Sequence, residues 1–493
     1  MTLMHLKSGS DIRGSAWELS SDVVVAVVNG YLDLMSEGTG KDTSDMKISV
    51  GMDPRLSSPS IYAVVIESMV SAGVRVMECG LCSTPAMFMT TVTHDCDGAV
   101  MVTASHLPGD KNGLKFFDRG GGLEPSEIER ILSFAEHFDA APYRERGRTF
   151  GVEYLTEYAR RLRETVIEGV DAEDRRHPLA GFRIVVDAGN GVGGFYADYV
   201  LAPLGADTTG SQFLEPDGNF PNHIPNPENK TAIGFLRDAV NVTGADLGVI
   251  FDTDVDRAAC VGPGGVEINR NRLVALASAI ALEEHPGGTI VTDSVTSDGV
   301  HDFITGTLGG KHRRFKRGYK NVIDEARRLS AAGEDAPLAI ETSGHAAFSD
   351  NYYLDDGAYL VTKIIIKAAL LRAEGRTLAD LTASLAEPVE ADEARFPITA
   401  KDFRAYGETV IKEVTAYAEN AEGWEVAPDN FEGVRVSFPD GEGAGWFLLR
   451  LSVHDPVMPL NIESREAGGV EKIKSKLYPV LKHFAGLGDP SEK

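Results

Sequence analysis

"KISVGMDPRL" (47–56), "SIYAVVIESMVSAG" (60–73) and "VRVMECG" (74–80) follow one another near the start of the chain. The first is a short apolar strand running into a polar loop. The second has helical length and stops at Gly73, which suits a left-handed C-terminal cap. The third is apolar again. Strand, helix and strand in that order make a βαβ unit, with parallel strands buried on both faces. The pattern returns in "FRIVVDAGNG" (182–191) with "FYADYVLAPLGAD" (195–207), and in "GTIVTDSVTS" (288–297) with "HDFITGTLGGKH" (301–312). The matching stops are Gly205 and Gly309. Recurrence at roughly 100–130 residues predicts three related α/β domains with mixed, mostly parallel sheets.

The last hundred residues read differently. "FEGVRVSFPDGEGAGWFLLRLSV" (431–453) alternates around a Gly- and Asp-rich turn, which predicts antiparallel strands. A helix from about Gly469 to Phe484 follows, giving a C-terminal α+β domain with an antiparallel sheet. The charged stretch "AEPVEADEARFPIT" (386–399) is the candidate linker before it. The expected domains are 1–148, 149–262, 263–388 and 389–493. In the first, Ser126 with Glu129 reads as a capping box, and Ile128, Ile131, Leu132 and Ala135 form the apolar face of the helix behind it.

The chain has 493 residues and a net charge of −26. Such a length needs several cores. No basic stretch accompanies the acidic balance, so nucleic acid is not an expected partner. The aliphatic run Val23–Val28 is too short for a bilayer, and the N-terminus lacks a signal-peptide core. No membrane association and a cytoplasmic location are the expectations. Four cysteines, Cys79, Cys82, Cys96 and Cys260, fit a reducing compartment. Cys79 and Cys82 are formally C-x-x-C, but a zinc site needs a second ligand pair of similar spacing, so packing is the simpler reading.

Several loops carry chemistry. In "VTASHLPGDKNGLKFF" (102–117) a hydroxyl, Ser105, an imidazole, His106, and an ammonium, Lys115, follow an apolar strand. In "ADLGVIFDTDVDRAACV" (245–261) Asp252, Asp254 and Asp256 lie two apart after another such strand. Three carboxylates held together call for a cation, and oxygen-only ligands favour Mg²⁺; the other reading is a solvated acidic loop. Arg257 follows them, placed to hold a phosphoryl oxygen. "AIETSGHAAF" (339–348) offers Glu341, Ser343 and His345, which suit sugar hydroxyls or simply a helix N-terminus. "RRFKRGYKN" (313–321) offers Lys316, Arg317 and Gly318 as a phosphate loop or as a solvated basic loop. "DAGNGVGG" (187–194) contains G-x-G-x-x-G at Gly189, Gly191 and Gly194, the start of a dinucleotide fingerprint, but close packing produces the same pattern.

T-A-S-H-x-P with N-G-x-K, then D-x-D-x-D-R, then E-x-S-G-H, in that order, resemble the α-D-phosphohexomutase family, nearest to its phosphoglucomutase/phosphomannomutase members. "SDIRG" (10–14), "PDGNFPNHIPNPE" (216–228) and "DAGNGVGG" add to a resemblance covering nearly the whole chain. It implies four domains around a central cleft. It also implies an isomerase of carbohydrate metabolism that interconverts hexose 1- and 6-phosphates, of glucose or mannose, through a phosphoserine and a 1,6-bisphosphate. By this resemblance Ser105 carries the phosphoryl group and His106 orients it. Lys115 is the general acid/base, its pKa of about 10.4 needing to be lowered by a crowded cationic site. Arg13 and Arg257 contact the phosphoryl group. Ser105, Asp252, Asp254 and Asp256 hold one Mg²⁺ per chain. Glu341 and Ser343 grip the sugar's 3- and 4-hydroxyls, leaving carbon 2 unread. Hexose 1,6-bisphosphate is the implied activator, a sugar phosphate the partner, and a monomer or homodimer the state.

The chain departs from the family clamp R-x-S-G-T-[EN]-P, showing Arg450, Ser452, Val453, His454, Asp455 and Pro456. Val453 stands where Gly gives backbone freedom. His454 replaces a hydroxyl donor, and fits either a phosphate contact when protonated or a packing role. Thr253 stands for Gly within the aspartate motif. These departures motivate the alternatives: a sugar-phosphate-binding relative with lost or altered turnover, an N-acetylglucosamine-phosphate mutase, or a phosphatase using the same serine.

Overall fold

The structure, a computed structural model, describes residues 2–139, 146–428, 430–452 and 455–490. It contains two compact bodies, Met1–Ala281 with Ser343–Leu381, and Leu282–Thr342 with Thr382–Lys493.

In the first body the opening βαβ unit forms as read. Strand Lys47–Met52 pairs in parallel with Arg75–Leu81 and with Gly98–Val102, and helix Ser58–Ser71 connects the first two. The sheet grows outward by antiparallel pairing of Gly98–Val102 with Lys111–Asp118, and of that strand with Asp11–Ser15. The register sets Lys115 opposite both Asp11 and Met101. Tyr31 donates to the Phe117 carbonyl at 2.8 Å beneath Gly98, where a Cβ would meet the Tyr31 oxygen at 2.0 Å. Only glycine permits that approach.

A second sheet pairs Leu247–Phe251 in parallel with Ile184–Asp187 and antiparallel with Ala258–Gly262. Every residue of Leu247–Phe251 is buried. The residues Asp252 to Arg257 are therefore the tight connection of a hairpin rooted in the core. The hairpin Ala346–Phe348 with Leu354–Asp355 and helix Gly357–Ala373 complete this body.

The second body has three parallel strands, Lys311–Phe315, Thr289–Asp293 and Leu338–Ile340. It also holds a five-stranded antiparallel sheet ordered Glu390–Pro397, Val457–Ser464, Gly445–Leu449, Val434–Phe438, Glu425–Val426. The α/β and α+β parts thus follow the expected class. The stops also hold, with Gly73, Gly205 and Gly309 at φ of 92°, 87° and 68°.

Three local readings are corrected. The charged stretch 386–399 contains an edge strand, Glu390–Pro397, because Ala394, Phe396 and Ile398 alternate inward beneath the acidic residues that suggested a linker. The helix Pro125–Glu136 is capped by Glu124 with Glu127, not by Ser126 with Glu129, since Pro125 at the first helical position starts the helix earlier. Its expected apolar face is buried. The last helix spans Gly469–Leu481 and stops short of Phe484.

The glycine-rich turn has a packing explanation. A Cβ at Gly191 would meet the Thr253 carbonyl at 2.7 Å, and one at Gly194 the Leu214 carbonyl at 2.2 Å. The turn is pressed onto the aspartate hairpin. Asp187 braces it, accepting from Gly189 N at 2.9 Å and from Gln212 at 2.8 Å. Buried His223 faces Asp187 Oδ1 with Nε2 at 3.0 Å and the Ile224 carbonyl with Nδ1 at 2.9 Å. Both ring nitrogens face acceptors, which is the protonated form's geometry.

Burial opposes that charge, but the Asp187 hydrogen bond and charge outweigh it, and the pKa of His223 lies above 6.5. Its contribution to stability is therefore complete below the unfolded value and is lost as pH rises through the folded one. The melting-temperature deficit of His223→Gln is expected to be larger at pH 6 than at pH 9. Thermal melts of both proteins across that range measure it, and a deficit independent of pH contradicts the assignment.

Candidate active site

Ser105 follows the fully buried strand Gly98–Val102 and adopts a left-handed backbone, φ 52°. Its Oγ donates to Asp252 Oδ2 at 2.9 Å and lies 3.4 Å from His106 Nδ1. The sequence separates Ser105 from Asp252 by 147 positions, so this contact belongs to the fold. The aspartate hairpin is closed by Asp252 N donating to the Arg257 carbonyl at 3.2 Å. The Arg257 side chain turns back, with Nε 3.1 Å from Asp252 Oδ2. Val255 takes φ 68°, a costly conformation for a β-branched residue. With that backbone the ligand oxygens of Asp252, Asp254 and Asp256 all lie within 4.8 Å of one another.

Lys115 Nζ donates to Asp256 Oδ2 and stands 3.3 Å from Asp254 Oδ2. Two carboxylates thus face the ammonium, where cationic surroundings were expected. Thr84 holds Asp254 through its hydroxyl at 2.5 Å and its N–H to the Asp254 carbonyl at 2.9 Å. His345 Nδ1 is 2.6 Å from Asp355 Oδ2, and the His345 backbone bridges to Arg257. Arg13 donates to Asp11 Oδ2 at 2.7 Å.

Burial, with Asp256 and Asp254 alongside, holds the Asp252 carboxyl well above the usual carboxylate range. Burial also works against charge on Asp256, but Lys115, His345 and Arg257 overcome it and keep that carboxyl well below its ordinary value. Burial, then the positive charges of Arg257 and Arg13, push the His106 imidazole down to about 2. That ring is neutral and can orient a hydroxyl.

Among the described residues, the buried side-chain atoms without a hydrogen-bond partner include Asp254 Oδ1, Asp256 Oδ1 and Arg257 Nη2. Two bare carboxylate oxygens fit a hard divalent cation such as Mg²⁺, which takes oxygen ligands. A bare guanidinium N–H beside them fits an anionic oxygen.

The basic loop lies in the second body. Gly318 N donates to Glu341 Oε1 at 2.6 Å and Arg317 N to Glu432 Oε2 at 3.0 Å. Ser294 Oγ also donates to Glu432 Oε2, at 2.5 Å, and Arg450 Nη1 is 3.8 Å from Glu432 Oε1. Lys316 precedes these donors on the same loop. Ser452 Oγ accepts from Asp455 N at 3.3 Å. Ser343 is 7% exposed at the start of the segment that returns to the first body. Val453 and His454 lie outside the described residues.

Residues that the sequence reading passed over include Glu432, Asp355 and Thr84. Glu432 lies 115 positions from its Arg317 contact, and no spacing rule reaches that far. The acidic pair Asp355–Asp356 ahead of an apolar helix was a usable signal for a cap, and Asp356 does accept from Tyr359 N at 2.9 Å.

A hydroxyl on a buried carboxylate cluster, with bare ligand oxygens and a bare guanidinium donor, is equipped to move phosphoryl groups. The class is a metal-assisted phosphotransfer enzyme on an α/β scaffold. Three family descriptions match the chain. They are phosphoglucomutase/phosphomannomutase alpha/beta/alpha domain I over residues 5–141, domain II over 156–265 and domain III over 269–389. A phosphomannomutase of Salmonella montevideo is 30% identical over 484 residues, covering 96% of this chain and 97% of that one. A phosphomannomutase/phosphoglucomutase of Pseudomonas syringae pv. tomato is 28% identical over 443 residues, covering 90% and 88%. A crystal structure of a family protein from Burkholderia thailandensis superimposes with a TM-score of 0.80 at 26% identity over 98% of each chain. The chain belongs to the phosphoglucomutase/phosphomannomutase family and is a mutase of the hexose-phosphate type. Among the described residues no helix is long and apolar enough to cross a membrane.

Asp254→Asn keeps an acceptor for Thr84 and removes one of three crowded carboxylates. Without metal its melting temperature is expected to match or exceed the parent's. Millimolar Mg²⁺ is expected to stabilise the parent, by about 2.7 kcal/mol at a hundredfold excess over Kd, and to leave Asp254→Asn nearly unmoved. Melts with EDTA and with Mg²⁺ read both effects.

Proposed function

We propose that this mutase interconverts the 1- and 6-phosphates of glucose and mannose, with Ser105 as the phosphoryl carrier. The observation that supports this most is the 2.9 Å contact of the Ser105 hydroxyl with Asp252, inside a buried cluster that still has bare oxygens. In the forward half-reaction a sugar hydroxyl attacks the phosphorus of phospho-Ser105. The new P–O bond forms to the sugar, the bond to Oγ breaks, and a hexose 1,6-bisphosphate results. After the bisphosphate turns over, Ser105 Oγ attacks the phosphorus of its other phosphate, the bond from that phosphorus to the sugar oxygen breaks, and the phosphoserine is restored with the isomeric hexose monophosphate as product. Lys115 moves the proton, its ammonium giving one from Nζ to the leaving oxygen and the resulting amine taking the proton of the attacking hydroxyl. His106, neutral, orients Ser105. Arg257 and Arg13 bind phosphoryl oxygens.

Ser105, Asp252, Asp254 and Asp256 would hold one Mg²⁺, which neutralises charge on the transferring group. Glu341 and Ser343 are assigned to the 3- and 4-hydroxyls of the sugar, with His345 beside them. Neither hydroxyl distinguishes glucose from mannose. Lys316, Arg317, Gly318, Arg450, Ser452 and His454 are assigned to the phosphate that does not react. Hexose 1,6-bisphosphate serves as activator. This reading also takes the four domains to be 1–148, 149–262, 263–388 and 389–493, the location to be cytoplasmic, and the state to be a monomer or homodimer.

The test is a coupled assay over glucose, mannose and N-acetylglucosamine phosphates, run with Mg²⁺ and bisphosphate. Intact-mass measurement should find one phosphoryl group, mapped to Ser105. Ser105→Ala should lack both that group and measurable turnover. Turnover surviving in Ser105→Ala overturns the assignment, and preferential use of the amino sugar overturns the choice of substrate.

A further inference from the structure

Among the described residues the largest side chain with no exposure at all is Arg55, at 0%. Guanidinium has five N–H bonds to donate, and burying it is costly unless all are met. Here all five are met. Nε donates to Asp53 Oδ2 at 3.0 Å. Nη1 donates to the carbonyls of Pro108 at 2.6 Å and Lys111 at 3.0 Å. Nη2 donates to the carbonyls of Leu107, at 2.7 Å, and Ser105. Four of the five acceptors are backbone oxygens, three in the loop that carries Ser105 and one at Lys111, where the next strand begins.

Asp53 completes the arrangement. It accepts from Arg55 N at 3.0 Å and Ser58 Oγ at 2.7 Å. It also accepts from Thr103 Oγ1 at 2.8 Å, and Thr103 Oγ1 accepts from Ser105 N at 2.9 Å. The Ser105 backbone is thus tied on both sides, its carbonyl to Arg55 and its N–H through Thr103 to Asp53. A left-handed backbone on a non-glycine residue is strained and persists only when the surroundings over-determine it. This paired clamp is what over-determines φ at Ser105.

We propose that Arg55 is a positioning residue for phosphoryl transfer, holding the Ser105 loop in the one conformation that aims Oγ at Asp252. It has no donor left for substrate, so it acts only through Ser105. The same hydroxyl must leave in one half-reaction and attack in the other, and the loop has to be the same for both. Displacing a reacting atom by about 1 Å costs on the order of 100-fold in rate. This inference rests on Ser105 being the phosphoryl carrier.

The experiment compares the parent with Arg55→Ala, Arg55→Lys and Thr103→Val, all as full-length chains. Arg55→Ala is expected to lose kcat by about 100-fold with KM little changed. Millimolar guanidinium chloride, entering the vacated space, should recover much of that loss, while sodium chloride at equal ionic strength should not. Arg55→Lys, with at most three donors on one atom, should remain slow. A merely structural role predicts instead a lowered melting temperature without rescue, or normal kcat in whatever fraction folds; either result overturns the proposal. If Arg55→Ala does not fold, Thr103→Val decides. It leaves the guanidinium in place but cuts the tie to Ser105 N, so kcat should fall with KM kept, and an unchanged kcat overturns the proposal. A parent without turnover in the same assay would sink the functional reading itself, a result distinct from normal kcat in the variants.

Discussion

Charge crowding at the end of one buried strand governs the organisation of the first body. Asp252, Asp254 and Asp256 are each 0% exposed, and three carboxylates cannot all ionise there unless cations face them. Lys115 and Arg257 supply two positive charges. The remaining imbalance shows in the opposite shifts of Asp252 and Asp256, one pushed well up and the other well down. The Ser105 hydroxyl is drawn into the same balance by its bond to Asp252.

Backbone strain is placed where that balance needs it. Ser105 and Val255 both have positive φ, at 52° and 68°, and neither is glycine. At Val255 the cost is offset by Gly357 N donating to its carbonyl at 3.1 Å and by the glycines packed around the hairpin. Gly191 and Gly357 let backbone approach the aspartate loop where a Cβ would collide at 2.7 Å. The glycine pattern that mimics a dinucleotide fingerprint is thereby explained by the hairpin it supports. The chemistry sits on one loop and the glycine requirement on its neighbour.

What was legible in the sequence was local. An apolar strand ending in Ser105, or in three aspartates two apart, announces itself within a dozen residues, and βα periodicity gives the layers. Composition misled where it masked alternation. The acidic residues of 386–399 concealed an inward-facing Ala394, Phe396 and Ile398, and so an edge strand. Contacts whose acceptors are backbone carbonyls left no signature at all. Arg55 meets four carbonyls, and any residues at 105, 107, 108 and 111 would offer the same oxygens. Long-range side-chain pairs such as Glu432 with Ser294, 138 positions apart, are equally silent.

Glu432 also changes how the basic loop of the second body should be understood. The N–H groups of Arg317 and Gly318, which precede a helix and so form a natural anion site, already donate to Glu432 and Glu341. Arg450 lies beside Glu432 as well, its Nε buried and unpartnered. A phosphate using these donors would exchange with a carboxylate rather than fill an empty cradle. Its net affinity would then be a difference between two anions, smaller than the donors alone suggest. Glu432 must also find other partners when displaced, because a buried carboxylate stripped of its donors is costly. Were phosphate to take these donors, its capture and the movement of the Glu432 side chain would be a single equilibrium within this body.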